Sequence, residues 1–248
     1  MYFDSHLHTE GLGFSDLKKL SEAGIKEVCS LAFFPIEPKF PQTMVDLFRK
    51  LTEFETLRCE AAGVKMYPAV GIHPRCIPPD YGFVMKHLEE GEWLAFGEIG
   101  LENVTKEEIE VLTSQLEIAK ERDIPCIIHT PRGNKKSATE KTLEILEKLD
   151  FPVELAVIDH VNFETLDMVL RSGYWIGLTV QPGKLSPDDA ARIVLEHGSE
   201  KFMLNSDAGY RDTEITTVAE AAKKVMEVVG EKEMRSVARD NARKFLRL

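Results

Sequence analysis

Short apolar runs alternate with segments of helical pattern along the whole chain, and this alternation restricts the possible folds more than any other feature. The runs fall near residues 2–8, 26–33, 66–73, 93–98, 124–129, 153–160, 174–180 and 202–207. Strands that alternate with helices indicate βα units around a parallel sheet. Eight units in 248 residues leave 31 residues for each, and an eight-fold barrel has roughly 250 residues. The sequence therefore predicts an α/β protein with a TIM (β/α)8 barrel, as a single domain over residues 1–248.

Composition and charge narrow the class of protein. Hydrophobic residues make up 43% and charged residues 29% of the chain, as in an ordinary soluble domain. The 31 Lys and Arg against 42 Asp and Glu give a formal net charge of −11. Such a chain has no global field that attracts a polyanion, so a phosphate-bearing substrate must be held locally.

The cysteines and the apolar runs bear on the compartment. Four cysteines without Cys-x-x-Cys spacing predict a reducing environment. No apolar run approaches the roughly 20 residues of a membrane span. We therefore expect a cytoplasmic protein with no membrane partner. We also expect no cleaved leader, because trimming the first strand would remove His6 and His8.

Three segments carry the residue pattern of a helix start. Residues 105–108 and 137–140 match the capping box, in which Ser or Thr and a Glu three residues later satisfy exposed amides of the first turn. Residues 186–189 place a Pro and two carboxylates behind a Ser, which favours a helix there as well. A final helix is expected from about residue 231, with Met234, Val237, Ala238 and Phe245 toward the core.

The first predicted strand carries Asp4, His6 and His8 at alternate positions. Because side chains of a strand alternate with a period of two, all three point to one face. Two imidazoles on one face make a metal-ligand pair. A purely structural strand is the weaker interpretation, because a buried polar side chain without a partner costs roughly 1–3 kcal/mol.

Further polar residues that are candidates for a functional site stand at the ends of later strands. They are His73, Glu98, His129, His160 and Asp207. Five of the 7 histidines lie at such ends, whereas random placement would scatter them over helices and loops. The carboxyl ends of the strands of a parallel barrel form the face where active sites are built. The sequence therefore predicts one site at this face.

Motifs along nearly the whole chain resemble the TatD family of metal-dependent hydrolases, within the amidohydrolase superfamily. They are, in order, Asp4-x-His6-x-His8, Gly71-Ile72-His73-Pro74, Gly97-Glu98-Ile99-Gly100-Leu101, His129, His160, Asp207 and a closing Asn241-Ala242-x-x-Phe245. The resemblance implies a TIM barrel with a divalent-metal site. It also implies kinship with members described as magnesium-dependent deoxyribonucleases that act on phosphodiesters.

The same resemblance implies a division of the metal ligands. One cation is expected on His6, His8, Glu98 and Asp207, and a second on Glu98, His129 and His160, with Glu98 bridging. Four imidazoles and two carboxylates suit Zn, Mn, Fe or Ni better than Mg, which prefers oxygen and water. We therefore expect two divalent ions, with Zn, Mn, Mg, Fe and Ni as the candidates. Asp4 lies deeper on the same face and is expected to orient the ligands.

Two loops depart from the family pattern. Glu102-Asn103-Val104 follows the Gly-Glu-Ile-Gly-Leu stretch, where members often have an Asp and then aromatic residues. Ser206-Asp207-Ala208-Gly209 stands where the family commonly has Thr-Asp-Ser-Pro. These changes leave the expected ligands intact but alter the loops that would touch the substrate.

Four residues near the predicted ligands are candidates for substrate binding. They are His73, Arg75, Arg132 and Arg211. A guanidinium group can clamp a phosphate or carboxylate with two hydrogen bonds. The alternative is an Arg paired with a surface acid such as Asp212. Lys135 and Lys136 are expected to add positive charge to the same rim. Residues 33–41 form either an aromatic wall or, as we favour, a rigid connection.

These features lead to a functional hypothesis. A hydroxide that bridges two metals attacks a phosphodiester or phosphomonoester, with Asp207 and Glu98 as catalytic residues and Asp207 as the proton carrier. One alternative is a hydrolase of a small amide, lactone or carboxyl ester, and another is a barrel that binds metal or an anion without turnover. The acidic charge favours a small or single-stranded anionic substrate, with DNA among the candidates, over a long duplex.

Overall fold

The computed structural model describes residues 1–211 and 213–248. Its strands form an eight-stranded sheet in the order β1 to β8. They are β1 (Tyr2–Leu7), β2 (Ile25–Leu31), β3 (Lys65–Val70), β4 (Ala95–Gly100), β5 (Cys126–His129), β6 (Ala156–Ile158), β7 (Trp175–Thr179) and β8 (Phe202–Asn205). The registers of β1 with β2, β3 with β4, β4 with β5, β5 with β6 and β7 with β8 are all parallel. The predicted TIM (β/α)8 fold is thus confirmed, and the single-domain partition stays a prediction.

Helices follow the strands in sequence. They are α1 (Phe14–Glu22), α2 (Gln42–Arg49), α3 (Thr56–Ala61), α4 (Tyr81–Glu90), α5 (Lys106–Arg122), α6 (Lys135–Lys148), α7 (Leu166–Ser172), α8 (Pro187–His197), α9 (Thr217–Val229), α10 (Glu231–Arg235) and α11 (Asn241–Phe245). Short π-helical segments cover Lys50–Glu55 and Ser236–Asp240. Within residues 1–211 and 213–248, no helix combines the length and the apolar character that a bilayer crossing requires.

Two of the three predicted helix starts are confirmed. Thr105 accepts a hydrogen bond from the backbone N–H of Glu108 at 3.2 Å, and Ser186 forms a reciprocal box with Asp189. The prediction at residues 137–140 is wrong, because α6 already begins at Lys135. Ser137 therefore lies inside the helix, where a cap is not needed.

The chain packs as two compact units, of which unit 1 comprises Met1–Ser30, Glu53–Tyr67 and Trp175–Leu248. Its closing helices bury Met234, Val237, Ala238 and Phe245, as predicted. The side-chain amide of Asn241 donates to the carbonyls of Ser199 at 2.7 Å and Phe202 at 2.8 Å. The carboxylate of Glu27 on β2 accepts hydrogen bonds from Tyr67, Arg239 and Arg243. These contacts hold the last helices against β2 and β8.

Unit 2 comprises Leu31–Thr52 and Pro68–Tyr174. Its core is made by fully buried side chains of the strands and of α5 and α6, among them Phe96, Leu112, Leu116, Ile128 and Leu146. The buried amide of Gln115 on α5 accepts from the backbone N–H of Ile72 at 2.7 Å and donates to its carbonyl at 3.1 Å. This pair of bonds fixes the segment that carries His73.

Candidate metal centre

In unit 1, the side chains of His6, His8 and Asp207 converge. We call this group the β1/β8 cluster. The two Nε2 atoms of His6 and His8 are 3.4 Å apart, and Asp207 Oδ1 lies 3.7 Å from His6 Nε2 and 3.3 Å from His8 Nε2. The two-residue period of β1 therefore places both imidazoles on one face, as the sequence predicts.

The spacing of these donor atoms fits a bound cation. Nitrogen and carboxylate oxygen bind Zn²⁺ at about 2.0–2.2 Å, so ligand atoms around one ion lie roughly 3–3.5 Å from one another. The distances in the β1/β8 cluster, 3.3–3.7 Å, approach that range. His6 and His8 are buried, which keeps their rings from reorienting into solvent. The donor set and its spacing both suit a divalent metal.

Asp207 is held by partners on both sides of its carboxylate and by its backbone. Lys184 Nζ donates to Oδ2 at 2.6 Å, which leaves Oδ1 facing the histidines. Gln181 Nε2 donates to the carbonyl of Asp207 at 3.0 Å. The residue has a φ of 51°, a left-handed conformation that is uncommon outside Gly and Asn and often marks functional sites.

Asp4, in the same unit, accepts hydrogen bonds from two backbone N–H groups and from the Ser206 hydroxyl. Its Oδ1 accepts from the N–H groups of His6 at 3.2 Å and Ser206 at 3.0 Å, and its Oδ2 accepts from Ser206 Oγ at 2.5 Å. Burial raises the pKa of Asp4 to about 7, although the hydrogen bonds from Ser206 and His6 oppose that shift. Asp4 thus joins β1 to the segment after β8, and orients the two ligand-bearing segments together.

Gly209 packs directly against His8. Its φ is 151°, and a Cβ built on it would lie 2.7 Å from His8 Cβ and 2.7 Å from the His8 carbonyl oxygen. The Pro of the family pattern, whose φ is fixed near −65°, does not fit this backbone. We expect Gly209→Ala to destabilise the protein by about 1–3 kcal/mol, because overpacking forces neighbouring atoms to move. Urea unfolding of the metal-free protein measures this.

Gly133→Ala is the matched control for that substitution. A Cβ at Gly133 would meet nothing within 4 Å, so this variant should unfold at the wild-type urea concentration. Equal stability of the two variants would contradict the close packing of Gly209 on His8.

In unit 2, the side chains of Glu98, His129 and His160 converge, and we call them the β4–β6 cluster. Glu98 Oε1 lies 2.7 Å from His129 Nδ1 and 3.0 Å from His160 Nε2. His160 has a φ of 60°, and its N–H donates to Asp159 Oδ1 at 3.0 Å. Ligand atoms of all three lie within 4.8 Å of one another. One carboxylate and two imidazoles again make a donor set for a divalent metal.

Glu102 binds the other nitrogen of the His129 ring, with Oε2 2.9 Å from Nε2. Burial lowers the pKa of His129, but the charge of Glu98 and the bond to Glu102 outweigh it, so the pKa is raised. Burial opposes ionisation of Glu102, yet the hydrogen bond from His129 and the charge of Arg75 lower its pKa. A cation that binds this imidazole competes with a proton for the same ring nitrogen.

His73 lies beside these residues, in the same unit. Its ring centroid is 4.5 Å from that of His129 and 4.9 Å from that of Phe33. Its Nδ1 accepts from the N–H of Arg75 at 3.0 Å, and the Arg75 guanidinium lies over the Phe33 ring at 5.6 Å. Phe33, the first residue of the segment 33–41, thus supports His73 and Arg75.

The other predicted basic residues have different surroundings. Arg132 is exposed and lines an open groove of about 440 Å³ with Lys136. Arg211 is exposed, and Asp212 lies outside the described residues. Lys135 was expected on the rim, but it is buried and donates to Thr130 Oγ1 at 2.9 Å and to the carbonyl of His160 at 2.8 Å. It therefore supports the backbone of a predicted ligand.

The residue pattern of the sequence predicts no role for Lys184, Gln181 or Glu102. The first two lie in a turn directly after β7, whose Pro182-Gly183 pair signals a tight loop at the carboxyl end of a strand. Glu102 stands out in the sequence only as a departure from the family pattern. Polar residues within five positions of a strand's carboxyl end were the available signal for all three.

Comparisons with known proteins agree with this arrangement. The family model described as TatD related DNase matches residues 3–247. An uncharacterized metal-dependent hydrolase of Methanocaldococcus jannaschii is 36% identical over 252 residues, with 99% of each chain covered. The crystal structure of a TatD-like protein from Archaeoglobus fulgidus is 72% identical, with 100% of each chain covered and a TM-score of 0.89.

A more distant structure shares the fold alone. The phosphotriesterase homology protein of Escherichia coli is 12% identical, with a TM-score of 0.71 over 98% of this chain and 97% of that one. The family model and the M. jannaschii relative together cover the segments that carry both clusters. The chain therefore belongs to the TatD family and is a metal-dependent hydrolase.

Proposed function

We propose that this hydrolase cleaves phosphoesters, with a small or single-stranded anionic molecule as the substrate class and DNA among the candidates. The observation that carries the proposal is the pair of imidazole–carboxylate clusters at strand ends, in a chain whose family model is described as TatD related DNase. Phosphoryl transfer needs cationic groups that stabilise charge on several oxygens at once. Divalent ions on these clusters, with the basic residues nearby, meet that need.

The ligand division follows the family resemblance. His6, His8, Glu98 and Asp207 would hold one cation, and Glu98, His129 and His160 the other. When bound, such ions activate water and stabilise negative charge on the attacking and leaving oxygens. The mixed nitrogen and oxygen donors favour Zn, Mn, Fe or Ni over Mg.

Asp207 is the proton carrier in this proposal. Its Oδ1 faces His6 and His8, and its Oδ2 is held by Lys184 at 2.6 Å. This orientation presents one carboxylate oxygen to the reacting groups and keeps the other from rotating. Asp207 takes a proton from the attacking water and returns it to the leaving oxygen, which is ordinary general base and acid work.

Positive side chains select the substrate. We assign phosphate binding to Arg75 and Arg132, with Arg211 as a further contact, and assign to His73 a contact with the bound substrate. Arg75 is already oriented by its stacking on Phe33, 5.6 Å from the ring centroid. A net charge of −11 opposes a long duplex, whereas a short strand needs only these local contacts.

The compartment is part of the same proposal. All four cysteines are buried thiols, and burial raises the pKa of Cys59 to about 12. Such thiols are packing groups rather than nucleophiles. We therefore place the enzyme in the cytoplasm, where thiols stay reduced.

A substrate panel tests the proposed reaction. Protein loaded separately with Zn²⁺ and Mn²⁺ is assayed on a phosphodiester, a phosphomonoester, a lactone, a carboxyl ester and a small amide, with metal-stripped protein as the control. We expect turnover of a phosphoester that depends on the added metal. Turnover confined to the carbonyl substrates would instead establish the amidohydrolase-type reaction.

The substrate class is tested with oligonucleotides. Single-stranded DNA of about ten nucleotides and a long duplex are compared at several salt concentrations, and cleavage is followed on gels. We expect faster cleavage of the short strand. Tight, strongly salt-dependent binding to the long duplex would contradict the preference, because such binding reports many neutralised phosphates.

A further inference from the structure

Two carboxylates flank the imidazole ring of His129 in unit 2. Glu98 Oε1 is 2.7 Å from Nδ1 on one side, and Glu102 Oε2 is 2.9 Å from Nε2 on the other. Glu98 belongs to β4 and Glu102 follows it by four residues. Each ring nitrogen of His129 therefore faces its own carboxylate.

The two ring nitrogens differ in their relation to the β4–β6 cluster. Nδ1 faces Glu98 Oε1, which also lies 3.0 Å from His160 Nε2, whereas Nε2 faces away toward Glu102. A cation in this cluster must therefore contact His129 through Nδ1. A neutral imidazole that ligates through one nitrogen carries its proton on the other. That proton is then on Nε2, where Glu102 accepts it.

Glu108 fixes the loop that carries Glu102. Its carboxylate accepts from the backbone N–H groups of Glu102 at 3.0 Å, Asn103 at 2.9 Å and Val104 at 2.8 Å. Glu108 itself is buried in the first turn of α5. The Glu102 side chain thus starts from a rigid backbone, which is what a group that orients a metal ligand requires.

We propose that Glu102 is a positioning residue for the cation of the β4–β6 cluster, because it accepts the Nε2 proton of His129 and so reserves Nδ1 for the metal. The inference rests on the proposed metal centre. A metal-bound histidine ordinarily donates its second nitrogen to a carboxylate or carbonyl, which sets the tautomer and raises the basicity of the ligand. Glu102 supplies that partner from the loop where this chain departs from the family pattern.

The same residues define a rival arrangement. Ligand atoms of His73, Glu102 and His129 lie within 4.8 Å of one another, so these three side chains could hold a cation of their own. In that case Glu102 would be a metal ligand and the protein would bind three cations. The positioning role predicts two.

Metal binding by Glu102 variants tests the inference. Wild type, Glu102→Ala, Glu102→Gln and Glu102→Asp are titrated with Zn²⁺ against a chromophoric chelator, and the bound metal is counted by elemental analysis. We expect two cations in wild type. In Glu102→Ala, one should bind about 10- to 100-fold more weakly, the usual effect of removing an outer partner of a ligand, while the other is unchanged. Glu102→Asp should recover part of the loss.

A spectroscopic measurement separates positioning from general stabilisation. In ¹⁵N-histidine spectra of the Zn²⁺-loaded wild type, His129 should show a metal-bound Nδ1 and a protonated Nε2, and the Nε2–H signal should change in each Glu102 variant. Glu196→Gln is the control, because its carboxylate also accepts a side-chain bond, from Arg192 at 2.8 Å. If Glu102→Ala fails to fold, the Gln and Asp variants carry the test.

The outcomes are distinct. Wild type that binds no cation overturns the proposed metal centre itself. Wild type with two cations, together with Glu102 variants that keep both affinities and the same His129 signals, overturns only the role of Glu102. A third cation that disappears in Glu102→Ala makes Glu102 a ligand, which also overturns the positioning role.

Discussion

The Asp207→Asn variant is expected to lose roughly 10²- to 10⁴-fold in turnover, the usual contribution of a general acid or base, while its cations stay bound. The carboxamide has one oxygen, and Lys184, which donates to Oδ2 at 2.6 Å, competes with the cation for it. The imidazoles of His6 and His8 hold the cation whichever way the amide is turned. The amide has no basic oxygen that can accept the proton of the attacking water. Turnover on the best phosphoester of the substrate panel and metal content of the same sample are measured together.

Two controls make this result specific to Asp207. Asp46→Asn changes an exposed carboxylate that pairs with Arg49 at 3.5 Å, and it should leave turnover unchanged. The metal count shows whether lost turnover follows from lost metal. Wild-type turnover in Asp207→Asn would refute the proton-carrier role, and lost cations would show that Asp207 acts mainly as a ligand.

The Glu98→Gln variant is expected to lose metal as well as activity. Glu98 is 3% exposed and its Oε1 contacts both His129 and His160, while the family resemblance makes it a ligand of both cations. The substitution replaces one charged oxygen by a neutral amide at nearly constant volume. We expect the affinity of at least one cation to fall by more than the roughly 10- to 100-fold that an outer partner contributes.

Thermal unfolding with added metal measures this loss of metal affinity and needs no substrate. A ligand present at a hundred times its Kd stabilises a folded protein by about 2.7 kcal/mol, and each kcal/mol raises the Tm of a domain this size by roughly 2–4 °C. Wild type should gain stability on addition of Zn²⁺, and Glu98→Gln should gain less. Glu110→Gln, an exposed Glu paired with Lys106, is the control and should gain as much as wild type. An equal gain in Glu98→Gln would remove Glu98 from the ligand set.

The two loops that depart from the family pattern differ in the kind of contact that the changed residue makes. At Gly209 the backbone adopts a φ of 151° against His8, which is a packing constraint. At Glu102 the side chain binds His129, which is a constraint on a candidate ligand. A residue that differs from its family can therefore reflect a requirement of backbone conformation or a role at the candidate metal site. Only its contacts in the structure distinguish the two.

The sequence alone was enough to predict the strands, the parity of their side chains and the ends at which candidate ligands stand. These properties depend on the local backbone: a strand repeats every two residues, so His6 and His8 must share a face. Their imidazoles do converge, with the Nε2 atoms 3.4 Å apart.

Only the tertiary structure decided what the loop residues contact. Lys184 meets Asp207 across 23 positions of sequence and Glu102 meets His129 across 27, while Lys135, expected at the rim, turns inward to the carbonyl of His160. A loop has no fixed repeat, and the direction of its side chains follows from hydrogen bonds and packing formed with distant segments. The periodicity of the sequence therefore determined the strands and the positions of the candidate metal ligands on them. Contacts between distant segments determined how those ligands are oriented and which residues hold them.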